Sequence, residues 1–125
     1  MKKPHIFNFT VAYADTDAFG IMYHARHIEV AERARSNWSK NVVIPAGDAG
    51  FVVRELNIKY MHPLLLNDEF VVETQPTKIG AASMTIEQKF VKDGEICAIM
   101  HITIAYLGAN MRPKAIPETI LNMLK

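Results

Sequence analysis

The sequence has few features of disulfide-linked or membrane-embedded proteins. Cys97 is the single cysteine among 125 residues, which excludes a disulfide framework within the chain. It lies in the apolar run EICAIMHITIAYL, where we expect a buried, unreactive thiol. No apolar stretch approaches the roughly 18 residues that a membrane-spanning helix needs. We therefore expect no membrane span and a cytoplasmic location.

The chain also lacks a surplus of charge of either sign. Fourteen Lys and Arg face 13 Asp and Glu, for a formal net charge of +1. No global field attracts nucleic acid, and we expect no nucleic-acid partner. Half of the residues are hydrophobic and there is no internal repeat or low-complexity segment. This composition predicts one folded domain over residues 1–125, which buries roughly two thirds of its unfolded surface.

One long helix is predicted in the first third of the chain. The apolar positions that recur at helical spacing are Ile28, Ala31, Ala34 or Arg35, and Trp38. This period predicts a helix of four or five turns, about 25 Å long. We expect it to begin near Tyr23.

Strands are predicted on both sides of this helix. Phe7, Phe9, Val11 and Tyr13 alternate with smaller or more polar residues before the helix, and period-two runs resume from Phe51 onward. Asp93-Gly94 separates two such runs, which is a strong signal for a two-residue hairpin. The last run, EICAIMHITIAYL, is apolar on both faces and is predicted to be the central strand. The terminal ETILNMLK is predicted to form a closing helical turn or two.

This order of elements predicts an α+β fold. One long helix packs on one face of a curved antiparallel sheet of about five strands. The other face and the edges of the sheet then need cover, and a second copy of the chain can supply it. We therefore expect a homo-oligomer.

The segment between the first strand and the helix contains the candidate catalytic residues. The free backbone N–H groups at the helix start, including that of His24, favour negative charge and suit a developing oxyanion. Asp17 lies seven positions earlier, and a turn at Gly20 can bring its carboxylate to the helix end, where it can attack a carbonyl or activate water. Tyr13 adds a hydroxyl that can orient that carboxylate.

Simpler interpretations of this segment are also open. The segment by itself is compatible with an ordinary strand-to-helix loop without catalysis. We interpret Asp15 as a structural loop or cap acceptor. His24 and His27 lie three positions apart and could hold a metal ion together with Asp17, but the His-Glu-x-x-His spacing is absent and paired surface histidines are common. We therefore expect no metal site.

The segment YADTDAFGIMYHARHIEVAERAR, with one long helix before a run of strands, closely resembles the 4-hydroxybenzoyl-CoA thioesterase group of hotdog-fold proteins. Within that group it is most similar to the bacterial branch associated with the Tol-Pal envelope system. The resemblance covers nearly the whole chain and is most specific in DTDAFGIMYHARH. FVVRELNIKYMHPLLLNDEFVVET is similar to the family's second and third strands, and RPKAIPE to its closing segment.

The resemblance implies hydrolysis of acyl-CoA or acyl-carrier-protein thioesters without metal or bound cofactor. The family's acidic nucleophile or general base falls on Asp17, its helix-end amide on His24 and its active-site tyrosine on Tyr13. The resemblance further implies a hotdog fold, in which the sheet wraps the helix, and assembly as a homodimer or homotetramer with active sites at the subunit interface. Phe19 stands where close relatives usually have glycine, and we expect it to narrow the acyl pocket.

Three basic residues, Lys78, Arg112 and Lys114, are candidates to bind the phosphates of CoA through charge-assisted hydrogen bonds, although a solvated basic side chain is the simpler interpretation of each. The chain has no Gly-rich phosphate loop, so scattered side chains would have to hold the nucleotide. A rival hypothesis is a non-catalytic module that binds acyl thioesters or acyl-carrier protein on the same fold. A hotdog dehydratase is the third, and the His with Glu or Asp motif that it would use is absent.

Overall fold

One long helix and a five-stranded antiparallel sheet make up most of the computed structural model, which describes residues 3–125. Met1 and Lys2, at the start of the predicted domain, lie outside the described residues. The elements in chain order are β1 (His5–Thr10), a 3-10 helix (Tyr13–Asp15), α1 (His24–Trp38), β2 (Gly50–Tyr60), β3 (Glu69–Ile79), β4 (Ser83–Lys92), β5 (Glu95–Leu107) and α2 (Glu118–Leu124). The predicted α+β class and the closing helix are confirmed.

All strand pairs in the sheet are antiparallel, and the strand order is β1-β3-β4-β5-β2. The prediction that β5 is the central strand, covered on both faces, was wrong. β4 is central, because β2 pairs on the far side of β5 from β4. The outer face of β5 is partly open, and there His101 lies opposite Glu87 and within 3.1 Å of its carboxylate. β1 and β2 are the edge strands.

Helix α1 packs against the sheet through four buried side chains, two of which are alanines. Its buried residues are His27, Val30, Ala31 and Ala34. The predicted stripe was wrong at Ile28, which is only half-buried, because the packed face is displaced by one residue toward His27. Small residues allow the helix to approach the sheet closely, and the sheet supplies the large core side chains, among them Phe70, Phe90 and Met100.

Two local predictions are confirmed. Asp93 and Gly94 form the two-residue hairpin between β4 and β5, with Lys92 opposite Glu95 and φ values of 49° and 78°. Two consecutive positive φ angles are typical of a type I′ turn, which matches the twist of the strands. Cys97 is 2% exposed, and burial raises the pKa of its thiol.

Within residues 3–125, no helix is both long enough and apolar enough to span a membrane.

Candidate active site

Backbone hydrogen bonds fix the Asp17 carboxylate in the turn before α1. The Phe19 N–H donates to Asp17 Oδ1 at 2.9 Å, and the Gly20 N–H donates to the Asp17 carbonyl at 3.0 Å. The Asp17 N–H in turn donates to the Ile21 carbonyl at 2.9 Å. Gly20 has a φ of 78°, a conformation that glycine adopts without a steric cost. The turn leaves Asp17 Oδ2 without a hydrogen-bond partner among residues 3–125.

Asp15 ties this turn to the helix start, as its structural interpretation predicted. Its Oδ2 accepts the Ala12 N–H at 2.8 Å, and its Oδ1 forms an ion pair with Arg26 Nε at 3.2 Å. Its carbonyl accepts the Tyr23 N–H at 3.1 Å. Asp15 is 8% exposed, so these bonds satisfy a buried carboxylate and hold the loop in place.

The N-terminus of α1 is open. Tyr23 is the N-cap residue and provides no side-chain cap, and the first turn contains no acidic residue. The His24 N–H has no backbone acceptor in the part of the chain that the structure describes. Such a helix end carries about half a positive elementary charge, which is located on its free N–H groups. It can therefore stabilise a negatively charged oxygen.

Asp17 and His24 line one cavity of about 440 Å³. The cavity is mainly apolar and contains three histidines. Its lining residues are Asp17, Ile21, Met22, His24, His27, Tyr60, Met61, His62 and Pro63. The fold therefore brings together two of the three predicted catalytic residues.

Tyr60, for which the alternating run after Phe51 predicts only a packing role, is a further residue of the candidate site. Its hydroxyl donates to the His24 carbonyl at 2.7 Å, and its ring packs edge-on against His27 at 4.9 Å between centroids. Burial raises the pKa of Tyr60, so the hydroxyl keeps its proton and remains a donor. The end of β2 thus holds the first residue of α1. The sequence feature that could have identified Tyr60 as a site residue is its position directly before MHP, where the proline ends the strand.

His27 is not the surface histidine that the sequence suggested. It is 3% exposed, and its Nδ1 lies 3.2 Å from the Tyr23 carbonyl. A carbonyl only accepts hydrogen bonds, so Nδ1 carries a proton and, in the neutral ring, Nε2 carries a lone pair. Burial lowers the pKa of His27, which favours the neutral ring.

Comparison with known proteins identifies the family. The profile of the Thioesterase-like superfamily matches residues 11–124. The chain belongs to this superfamily. The acyl-CoA thioesterase YbgC of Haemophilus influenzae is 30% identical over 121 residues, which cover 91% of this chain and 89% of that protein.

Solved structures of similar proteins confirm the hotdog fold of this superfamily member. A thioesterase from Thermus thermophilus, complexed with coenzyme A and Zn, has a TM-score of 0.87 at 26% identity, covering 98% of this chain and 92% of its own. A hypothetical protein from Aquifex aeolicus has a TM-score of 0.89 at 23% identity, covering 98% and 100%. Within residues 3–125 of the present chain, no group of three His, Cys, Asp or Glu side chains is arranged to hold a metal ion.

Tyr13 and Phe19 do not line the cavity of this thioesterase-superfamily chain. Tyr13 is 82% exposed in the 3-10 helix, and the hydrogen bond that orients Asp17 comes instead from the Phe19 N–H. The Phe19 side chain is 88% exposed. The role of Tyr13 therefore stays a prediction, and within a single chain Phe19 does not narrow this cavity.

The three basic candidates lie far from the cavity within one chain of the superfamily fold. The Lys114 N–H donates to the Tyr106 carbonyl, whereas Tyr60 of the cavity pairs with Ala98. Eight residues of β5 separate these points, a distance of about 26 Å. Lys78 and Arg112 are exposed toward the same far end. Lys114 Nζ also bonds Asp48 Oδ1 at 2.8 Å.

Proposed function

We propose that this chain is an acyl-CoA thioester hydrolase that uses Asp17 and the open N-terminus of α1. The observation that carries the proposal is that a backbone-held carboxylate and an uncapped helix end line the same cavity. The name of the Haemophilus influenzae relative, an acyl-CoA thioesterase, supports the substrate class. Acyl-carrier-protein thioesters share the same reacting group and belong to the proposal.

The proposed chemistry begins at the thioester carbonyl carbon. Asp17 either attacks this carbon directly or removes a proton from a water molecule that attacks it. The carbonyl oxygen gains negative charge, which the His24 N–H and the helix end stabilise. Collapse of the intermediate breaks the C–S bond, and the thiolate of CoA leaves. If Asp17 attacked directly, a water molecule then hydrolyses the acyl-Asp17 anhydride, which releases the acid and regenerates the carboxylate. This residue set supplies both the attacking group and the oxyanion donor, so the mechanism calls for no metal or organic cofactor.

Within the superfamily, we propose that the chain is a member of the 4-hydroxybenzoyl-CoA thioesterase group and its Tol-Pal-associated branch. Support comes from the DTDAFGIMYHARH segment, which supplies both Asp17 and His24. A cytoplasmic location remains a prediction from the sequence, and cell fractionation would test it.

We further propose that the working enzyme is a homodimer joined through β2, or a homotetramer made of two such dimers. This edge strand is 11 residues long, and Val52 and Val53 on it are 39% and 53% exposed. An exposed apolar edge strand favours pairing with another strand. Antiparallel pairing of two β2 strands would bring the far end of one subunit toward the Asp17 cavity of the other. Lys78, Arg112 and Lys114 would then reach the CoA phosphates from the partner subunit.

The first test compares thiol release by the wild type and Asp17→Asn on short-chain, long-chain and aromatic acyl-CoAs. Asparagine keeps an oxygen for the Phe19 N–H, so the turn is preserved while the negative charge is lost. We expect turnover to fall by about 100-fold or more. Asp93→Asn, in the β4–β5 turn, removes the same charge at a position that tolerates asparagine and serves as the control.

Unchanged turnover in Asp17→Asn would contradict the mechanism. If the folded wild type releases no thiol, its binding of a non-hydrolysable acyl-CoA analogue by calorimetry would instead assign it as a binding module. An acyl-carrier-protein substrate in the same panel tests the carrier-protein alternative.

A further inference from the structure

The Asp17 cavity contains one histidine whose ring is fixed by its surroundings, His27. Its side chain is almost fully buried, and Nδ1 donates to the Tyr23 carbonyl at 3.2 Å. The ring packs edge-on against Tyr60, with centroids 4.9 Å apart, and against Phe90 at 5.3 Å. A rotated ring would lose the bond to Tyr23, so both the orientation and the tautomer are set.

The second nitrogen of this ring, Nε2, is unpaired and accessible. It makes no hydrogen bond within residues 3–125, where the bond of His27 to Tyr23 involves Nδ1. Two side-chain atoms in this part of the chain are both buried and without a hydrogen-bond partner, and His27 Nε2 is not one of them. The nitrogen therefore contacts open space, and His27 lines the Asp17 cavity. In the neutral ring Nε2 carries a lone pair and can accept a proton.

The other two histidines of the cavity are less suited to accept a proton there. His24 is exposed, and no side-chain hydrogen bond within residues 3–125 fixes its ring. His62 is also exposed, and its Nε2 lies 3.6 Å from Glu95 Oε2, which engages that nitrogen. His27 is thus the histidine that is held in place before substrate binds. Burial lowers its pKa, so the ring is neutral at pH 7.

We propose that His27 is the general base that activates water in the reaction, an inference that rests on the proposed thioester hydrolysis. His27 lies three positions after His24, on the same face of α1 and about 4.5 Å farther along the helix axis. A water molecule can therefore lie between the imidazole and a carbonyl group bound at the helix end. Because a neutral imidazole is a stronger base than a carboxylate, His27 leaves Asp17 free to act as the nucleophile.

The two steps then use Asp17 and His27 in turn. Asp17 Oδ2 forms a bond to the acyl carbon, and the CoA thiolate leaves with the electron pair of the C–S bond. A water molecule next gives a proton to His27 Nε2, while its oxygen forms a bond to the acyl carbon of the anhydride. The bond between this carbon and the Asp17 oxygen breaks, and its electron pair restores the carboxylate. Protonated His27 passes its proton to the thiolate or to solvent.

The Tyr23 carbonyl supports this proton transfer. It accepts the Nδ1–H of His27 and favours the protonated ring, which partly offsets the larger opposing effect of burial on the pKa of His27. The other titratable groups in the cavity lining are Asp17, His24, Tyr60 and His62, and Phe90, which contacts the ring from β4, is apolar.

The experiment measures thiol release and the mass of the acid-quenched protein for the wild type, His27→Gln and His101→Gln. Glutamine keeps a polar group at this position but cannot take up a proton. We expect His27→Gln to release about one equivalent of thiol per site and then turn over at least about 100-fold more slowly than the wild type. Mass spectrometry should show an acyl adduct, and peptide mapping should locate it on Asp17. His101→Gln, at an exposed histidine of β5, is the matched control and should turn over like the wild type.

Wild-type turnover in His27→Gln would overturn the inference. Loss of the initial thiol release together with turnover would also overturn it, because His27 would then act before the acyl-enzyme forms. An acyl adduct that accumulates in His24→Gln or His62→Gln but not in His27→Gln would assign the base to another histidine, against the inference. Absence of thiol release by the wild type would overturn the proposed function as well, whereas wild-type turnover with an unchanged His27→Gln overturns this inference alone.

A measurement on the wild type decides if His27→Gln does not fold by circular dichroism. Protonation of His27 removes the base, so turnover should fall and the acyl adduct should accumulate as the pH is lowered from 7 toward 5, over the range in which the protein stays folded. No accumulation of the adduct over that range would overturn the inference.

Discussion

At the scale of single residues, the Tyr60 hydroxyl links the end of β2 to the first residue of α1. Tyr60→Phe leaves the His24 carbonyl without this donor, which lies 2.7 Å away. We expect unfolding free energy to fall by about 0.5–1.5 kcal/mol, and turnover to fall because the His24 N–H is less well fixed. Urea denaturation and thiol release measure the two effects.

Tyr13→Phe is the control for this stability effect. The Tyr13 hydroxyl has no hydrogen-bond partner among residues 3–125, and the side chain is 82% exposed, so its removal should leave unfolding free energy unchanged. The turnover of this variant separately tests the predicted catalytic role of Tyr13. Equal stability of Tyr60→Phe and the wild type would contradict the anchoring role of Tyr60.

His27 should make stability depend on pH. Because burial lowers its pKa in the folded protein, the unfolded chain binds a proton more readily near the ordinary histidine pKa of about 6.5. The stability contributed by the neutral ring is therefore complete above about pH 6.5 and is lost as the pH falls toward the lower pKa of the folded state. The groups around the ring are His24 on the same helix, Tyr60 on β2 and Phe90 on β4.

His27→Phe keeps an aromatic ring at this position and removes the titration. We expect the wild type to lose more unfolding free energy than His27→Phe between pH 7 and pH 5. Urea denaturation at the two pH values measures the difference. Identical losses in the two proteins would contradict the buried, neutral state of His27.

The position of Asp17 and His24 at one cavity could be predicted from the sequence because they are close along the chain and only a turn separates them. The contact of Tyr60 with His24 could not, because it spans 36 residues. Such contacts depend on how strands pair, which periodicity does not specify. The exposure of His27 was misjudged because a histidine among charged residues looks polar, while the helix turns it into the sheet.

At the scale of elements, the β4–β5 hairpin depends on the backbone of its turn. Gly94 has a φ of 78°, and a Cβ placed there would meet no atom within 4 Å. The cost of Gly94→Ala is thus purely conformational, and we expect a loss of about 1–2 kcal/mol in unfolding free energy. Gly80→Ala is the control, because Gly80 lacks a positive φ and an added Cβ would make contacts of 3.4 and 3.5 Å with Ser83. Equal losses of stability in Gly94→Ala and Gly80→Ala, measured by thermal denaturation, would contradict this account.

The elements themselves were largely predictable, whereas their order in the sheet was not. The Asp93-Gly94 pair specifies a local turn, so β4 and β5 could be paired from the sequence. β2 pairs with β5 in the sheet, although β3 and β4 lie between them in the sequence. No local sequence pattern indicates that pairing. The apolar run of β5 suggested a central strand, but it reflects an interior strand whose outer face is only partly covered.

At the scale of the whole molecule, the distance between the Asp17 cavity and the basic candidates is the main constraint on function. In one chain they lie at opposite ends of β2 and β5. Either the basic residues do not bind CoA, or a partner subunit contributes them. The proposed pairing through β2 would favour the second alternative, because a twofold axis across an antiparallel edge brings opposite ends of the two strands together.

Mixed dimers of Asp17→Asn and Arg112→Ala subunits distinguish these alternatives. Each variant alone should show weak turnover at a limiting CoA-ester concentration. If each site combines Asp17 of one subunit with Arg112 of the other, one of the two sites in every mixed dimer is intact. Random reassociation should then restore about a quarter of wild-type turnover, because about half of the dimers are mixed. If both residues of a site come from the same subunit, no mixed dimer contains an intact site and turnover stays low. Thiol release before and after subunit exchange measures the recovery, and no recovery after confirmed exchange would contradict a site shared between subunits.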